Sequence, residues 1–105
     1  MQRFHQDLSS DVLVALAHPN RIRILEYLRG GERCNCELAP ALGLEQSNLS
    51  RHLKVLVQSG ILISSKEGPR VNFKVADQRV YRILDLAKTV ARREVEKKVE
   101  ALDNG

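Results

Sequence analysis

The stretch from Cys36 to Gly60 reads as two helices hinged on one glycine, and it constrains the fold more than any other part of the chain. The second helix can be tested on a helical wheel. Leu49, Leu53, Leu56 and Val57 follow i, i+4, i+7 and i+8 on one side, while Ser47, Arg51, Lys54 and Gln58 take the other. The shorter helix, from about Cys36 to Leu42, ends at Gly43, a residue suited to the left-handed conformation that closes a helix. Glu45 or Gln46 begins the longer one, which continues to Ser59-Gly60. Two helices joined by a tight glycine-containing turn make a helix-turn-helix pattern.

The flanking segments complete one domain over residues 1–105, mainly α with a β-hairpin, an α+β chain. After a charged, unpatterned tail of about residues 1–7, Leu8, Val12, Leu13 and Leu16 fall at helical spacing and predict a first helix to about His18. Pro19 opens a second helix with an Ile22, Leu25 and Leu28 stripe, stopped by Gly30-Gly31. Ile61-Leu62-Ile63 reads as a strand. Val71, Phe73 and Val75 alternate with Arg70, Asn72 and Lys74 as a second strand with one buried face, and Glu67-Gly68-Pro69 supplies the turn. From Asp77, a candidate N-cap, a long helix is expected to about residue 101. Its apolar seam is Val80, Ile83, Leu84, Ala87, Val90 and Ala91, extended by Val95, Val99 and Leu102. About 24 helical residues span roughly 36 Å, more than so small a domain needs. The surplus seam implies a second copy of the chain. The run Arg92-Arg93-Glu94 and Glu96-Lys97-Lys98 alternates in sign and reads as a solvated face.

A chain of 105 residues buries a thin core, and sharing a core with a partner is a common remedy. Lys and Arg number 17 against 13 Asp and Glu, and the net charge of +4 suits an anionic partner. Gln, Asn and Arg can pair with adenine or guanine edges in a major groove, and Ser or Lys can hold phosphates. Gln46, Ser47, Asn48, Ser50, Arg51, His52 and Lys54 are therefore the expected contacts of the second helix with double-stranded DNA. His52 lies nearer the apolar face and is better read as packed or phosphate-bonded than as a base reader. Lys66 and Arg70 would sit at the exposed hairpin tip, where a cation can follow a phosphate backbone or enter a minor groove. Two copies would place the reading helices roughly 34 Å apart, which predicts a pseudo-palindromic operator. No ordered Ser, His and Asp set and no glycine-rich phosphate loop appears, so an enzyme is not expected, nor an organic cofactor. No apolar run reaches membrane-spanning or signal-peptide length, which points to no membrane partner and a cytoplasmic protein.

In such a reducing compartment Cys34 and Cys36 are expected as thiols for metal or redox chemistry rather than as a structural disulfide. In an α-helix, residues two apart point about 200° apart, so both sulfurs cannot meet one ion there. Either Cys34 lies in an extended segment before the helix, or coordination unwinds the first turn and displaces residues 37–42, the support of the reading helix. Oxidation of the same pair, within or between subunits, could alter DNA affinity in the same way.

Residues 18–62, HPNRIRILEYLRGGERCNCELAPALGLEQSNLSRHLKVLVQSGIL, resemble the core of the ArsR/SmtB family of winged-helix metal-responsive repressors. The resemblance rests on His18-Pro19 with Arg21, on Cys34-Asn35-Cys36-Glu37-Leu38, and on Gln46-Ser47 leading to Ser50-Arg51-His52-Leu53, and it extends over nearly the whole chain. It implies a winged helix-turn-helix homodimer paired through its first and last helices, with Leu8, Val12 and Leu16 beside the seam of the last. Such a dimer represses transcription until an ion loosens it from the operator. The cysteine segment resembles the arsenic-type sensors, which implies trivalent arsenic or antimony as inducer, held by Cys34 and Cys36. The position three after Cys36 is Ala39, not a third cysteine, so each subunit offers two sulfurs and an arsenic centre could keep an oxygen or methyl group or recruit another atom from a subunit; methylarsenite suits such a pair. Cadmium or lead would need further ligands, with His5 or Asp7 of a neighbouring tail the candidates. The family's other site, for zinc on the last helix, keeps only Asp77, since Arg79, Val90 and Arg93 occupy the remaining positions.

Overall fold

The computed structural model describes residues 2–104, with side chains from Leu8 onward. Among the described residues the chain forms five helices and three strands: α1 (Gln2–Leu16), α2 (Pro19–Tyr27, continued by a 3-10 turn over Leu28–Gly30), β1 (Arg33–Cys34), α3 (Asn35–Leu42), α4 (Gln46–Gln58), β2 (Leu62–Glu67), β3 (Arg70–Val75) and α5 (Arg79–Asn104). Residues 2–7, expected as a tail, belong to the backbone of α1. His5 and Asp7, the suggested additional ligands, have side chains outside the described residues.

Local chemistry explains the boundaries. His18 caps α2 by accepting from the Asn20 backbone N–H through Nδ1 at 3.1 Å, and Pro19 occupies the first turn, where no N–H is needed. Gly43 closes α3 in the left-handed region (φ 64°), so that the Leu44 N–H reaches the Ala39 carbonyl at 3.0 Å. Asp77 accepts from the Arg79 backbone N–H at 2.9 Å and so starts α5, as a capping carboxylate does.

The sheet order is β1-β3-β2, antiparallel throughout. The hairpin runs in register from Leu62 opposite Val75 to Glu67 opposite Arg70, leaving a two-residue turn at Gly68-Pro69. Here β2 is longer than the Ile61–Ile63 run suggests. Ser64, Ser65 and Lys66 are exposed and carry no apolar alternation, so only pairing with β3 reveals them as strand. The two-residue β1 likewise has no pattern of its own, and pairing of Arg33 with Phe73 and Cys34 with Asn72 defines it.

Ile24, Leu25, Leu38, Leu49 and Leu56 are fully buried at the centre of the core. Tyr81 ties α5 to α2: its hydroxyl donates to the Leu25 carbonyl at 2.7 Å, an acceptor in the last turn of α2, and Arg29 lies over its ring. Arg29 also pairs with Glu26 and Asp85, and Lys88 with Glu26, clamping the first half of α5 to the domain. Beyond that clamp α5 has no cover among the described residues. Val90, Val95, Val99 and Leu102 are exposed, as are Leu86 beside the clamp and Leu8, Leu13 and Val14 of α1. The Cα radius of gyration of 16.7 Å exceeds the roughly 13 Å of a compact domain of this length, as a protruding helix requires.

The seam read from sequence therefore divides. Leu16, Val80 and Leu84 are 4%, 6% and 4% exposed and belong to the protomer's own core, so they are not partner-facing. Ile83, Ala87, Val90 and Ala91 remain on the uncovered side, joined by Leu86, Leu13 and Val14. The first turns of α5 bury one stripe against their own domain while a neighbouring stripe stays bare; in sequence the two overlap.

Candidate functional site

Cys34 ends β1 with an extended backbone (φ −84°, ψ 159°) and immediately precedes α3, its side chain fully buried; Cys36 lies exposed in the first helical turn. The extended residue removes the opposition that a continuous helix would impose. The sulfurs meet, joined as a disulfide, with the Cα atoms 5.2 Å apart. Of the two routes open to the sequence, the extended segment is therefore the one found, and α3 need not unwind for the sulfurs to converge. The expectation of separate thiols is corrected to a bonded pair, because the strand-to-helix corner faces both side chains to one point.

Three charged groups surround the pair. Glu37 Oε1 accepts from the Cys34 backbone N–H at 3.1 Å, the returning half of a capping box. Arg33 Nε lies 4.0 Å from Glu37 Oε2. Arg70 Nη2 lies 3.4 Å from Cys34 Sγ and 3.7 Å from Cys36 Sγ, and 4.0 Å from Glu37 Oε1. Arg70, expected beside Lys66 as a free hairpin-tip cation, is thus engaged with the sulfurs; β1 pairing brings the start of β3 to the cysteines, a long-range contact with no local signal.

At the other end of α3, Arg23 Nη2 donates to the Leu42 carbonyl at 2.7 Å, fixing the helix to α2. Between these ends stands Pro40, which has no N–H for the Cys36 carbonyl four residues back. The turn carrying Cys36 consequently lacks one helical hydrogen bond. Asn35, between the cysteines, also lines a cleft of about 310 Å³ between α4 and the hairpin, shared with Ser50, Lys54, Gln58, Ser64 and Val71.

The faces of α4 match the wheel. Leu49, Leu53 and Leu56 are buried, while Gln46, Ser47, Ser50, Arg51, Lys54 and Gln58 are exposed and Asn48 is half-buried, accepting from Arg51 Nη2 at 3.1 Å. Lys66 is exposed on β2. His52 differs: it is 9% exposed, its ring 4.4 Å from that of His18, and its Nδ1 lies 3.3 Å from Arg21 Nη1 as an acceptor. Arg21 Nε also donates to the Ala15 carbonyl at 2.6 Å, so this cluster joins α1, α2 and α4. Of the two readings left open for His52, packed or phosphate-bonded, these contacts show the packing.

Burial, followed by the nearby His18, Arg21 and Arg51, pushes the His52 pKa below its usual 6.5. The native state favours neutral His52, so its contribution to stability is complete above about pH 6.5 and is lost as pH falls from there toward the depressed native value. Denaturant midpoints measured from pH 7.5 to 5 should fall more steeply for the native protein than for His52→Gln, with the difference opening only below that unfolded-state value. Parallel curves would contradict this assignment.

Asp77, the residue matching the first position of the family's zinc site, is held by Arg79, whose Nη2 and Nε lie 2.6 and 3.0 Å from its two oxygens; this contact draws its pKa down to about 2.

A helix pair closed at Gly43, a hairpin wing beside it and a long terminal helix define a winged helix-turn-helix regulator, here with a cysteine pair built into the joint between helix and wing. The profile of the bacterial regulatory protein, arsR family, matches residues 18–64, and a probable mercury resistance operon repressor of Streptomyces lividans is 32% identical over 87 residues, 83% of this chain and 70% of that protein. The chain belongs to the arsR family of bacterial regulatory proteins, and it is a transcriptional regulator, not an enzyme. Among solved structures, a homodimeric winged helix-turn-helix DNA-binding domain from Mycobacterium bovis, a possible ArsR-family regulator, superposes with a TM-score of 0.75 at 31% identity, covering 87% of this chain and 84% of that one. The AntR antimony-specific transcriptional repressor gives a TM-score of 0.69 at 28% identity, covering 81% and 78%. No described helix is long and apolar enough to cross a membrane.

Proposed function

We propose that the chain acts as a cytoplasmic homodimeric repressor that grips a pseudo-palindromic operator with α4 and the wing, and is released when trivalent arsenic or antimony, methylarsenite included, binds the reduced Cys34 and Cys36. The observation that carries this reading is the convergence of the two sulfurs at the end of α3 that lies between the wing and the support of α4. The antimony-specific neighbour and the mercury repressor make a thiophilic inducer the natural choice. Dimerisation is supported by the bare apolar surface of α1 and α5 and by a groove of about 500 Å³ along the start of α5, lined in part by Val12, Ile61, Ile83 and Leu86.

The donor set fits an ion content with two protein sulfurs. Cadmium or lead, which want a larger protein shell, would need further ligands such as His5 or Asp7 of a neighbouring tail. A bound ion would supply two strong bonds to sulfur and so tie Cys36 to Cys34, whose sulfurs are separate thiols in the operator-binding state. Cys34, buried and paired to β3, is the fixed partner; Cys36, exposed on the turn that Pro40 leaves one hydrogen bond short, is the one that yields. Its displacement shifts α3, whose Leu38 and Leu42 are buried with Leu49 of α4 in one core.

A second reading is favoured by the bonded sulfurs themselves. Peroxide oxidising the two thiols gives the disulfide and two waters, and the same release would follow. Titration of operator DNA with reduced protein separates the two. Arsenite, methylarsenite or antimonite should weaken binding about 10- to 100-fold with zinc inert. Release by peroxide alone, with mass spectrometry showing loss of two hydrogens per subunit, would establish the redox reading instead.

A further inference from the structure

Arg70 of the wing reaches both cysteine sulfurs, beside the pairing of Cys34 with Asn72. It begins β3 immediately after the Gly68-Pro69 turn, its side chain is 57% exposed, and its Nη2 donates toward both sulfurs while lying 4.0 Å from Glu37. Lys66, across the hairpin opposite Val71, is exposed and makes no such contact among the described residues. A guanidinium is a planar fork that can serve several acceptors together, and its half-exposed position leaves it free to turn toward a phosphate backbone instead. It cannot do both. Joining the sulfurs brings two acceptors within reach of one nitrogen; separating them removes that arrangement.

We infer that Arg70 is the positioning residue that transmits the state of the cysteine pair to the wing. With the sulfurs apart it contacts the operator backbone, and with the sulfurs held together, by each other or by a shared ion, it is drawn back onto them and Glu37. Release then has two components, movement of α3 beneath α4 and withdrawal of one wing cation per subunit. The inference rests on Cys34 and Cys36 being the sensor, and it adds a residue on a different element, β3.

The test compares Arg70→Gln, Arg70→Lys and Lys66→Gln in the full-length reduced protein, measuring operator affinity over a range of salt with and without antimonite. Ultraviolet absorbance of the sulfur-to-antimony bond reports loading independently of DNA. Arg70→Gln should still load one ion per subunit, bind operator more weakly when free with a salt slope lower by about 0.9 for each phosphate it no longer neutralises, and bind nearly as the native protein does when loaded. Its ratio of free to loaded affinity should therefore fall about fivefold or more. Arg70→Lys keeps a charge for phosphate but loses the fork, so free-state affinity should recover while the ratio stays depressed. Lys66→Gln should weaken free and loaded forms equally. If Arg70→Gln loads normally and leaves the ratio at the native value, Arg70 is at most a DNA contact and the inference is overturned; if native protein loads but is not released, the sensor reading itself has failed.

Discussion

With serine in place of Cys34 or Cys36, reduced protein should keep operator affinity within about twofold of the native value and lose release by antimonite or arsenite altogether. A coupling of this type is worth about 5- to 150-fold in affinity, and one remaining sulfur cannot hold the ion against both β1 and the first turn of α3. The two variants should differ in stability. Cys34 is fully buried, so a serine hydroxyl there loses its water and costs on the order of 1–3 kcal/mol unless it finds a partner. Cys36 is exposed, and its replacement should be nearly neutral. Denaturant unfolding alongside the operator titration separates the effects: loss of response with native stability in Cys36→Ser is the informative combination. Normal release in both variants would remove the cysteines from the mechanism.

The second large effect is on the reading face. Arg51→Ala and Lys54→Ala should each weaken operator binding about 30-fold or more, since a good base or phosphate contact contributes roughly 1–3 kcal/mol and the dimer loses it in both half-sites. Both side chains are exposed and neither supports the core, so folding should be unaffected. The salt dependence assigns the roles. Removing a cation that neutralises one phosphate in each half-site lowers the slope by about 1.8, whereas removing a base reader leaves the slope and relaxes sequence preference at one position of each half-site. An interaction module without DNA binding would show little change in either variant.

Much of the fold is legible in the sequence because most elements announce themselves locally. Gly43 and Pro19 mark helix ends, Leu49, Leu53 and Leu56 mark a buried face, and Val71, Phe73 and Val75 mark a strand. What escapes is set by long-range contact. The β1 strand exists only because Arg33 and Cys34 pair with Phe73 and Asn72, and Arg70 reaches the sulfurs only through that pairing. The fate of the α5 seam is decided by where its own domain ends, so Val80 and Leu84 turn inward while Leu86 and Val90 stay bare. His52 shows the limit of a wheel: its borderline position fits packing or contact, and the His18 and Arg21 side chains, far away in sequence, decide for packing. The cysteine pair itself is visible as a spacing, which leaves an extended Cys34 or an unwound first turn open; the backbone of Cys34 is the extended one.

The most direct measurement of the central claim is amide hydrogen exchange over Asn35–Leu42 and Arg70–Val75 in reduced, operator-free protein, with and without one equivalent of antimonite per subunit. Loading should change exchange at least several-fold in the first turn of α3 and at the start of β3, while Ile24 and Leu25 in the core of α2 stay as protected as before. Unchanged exchange in both segments of a fully loaded protein that still leaves its operator would contradict the claim that the sulfurs act through α3 and the wing.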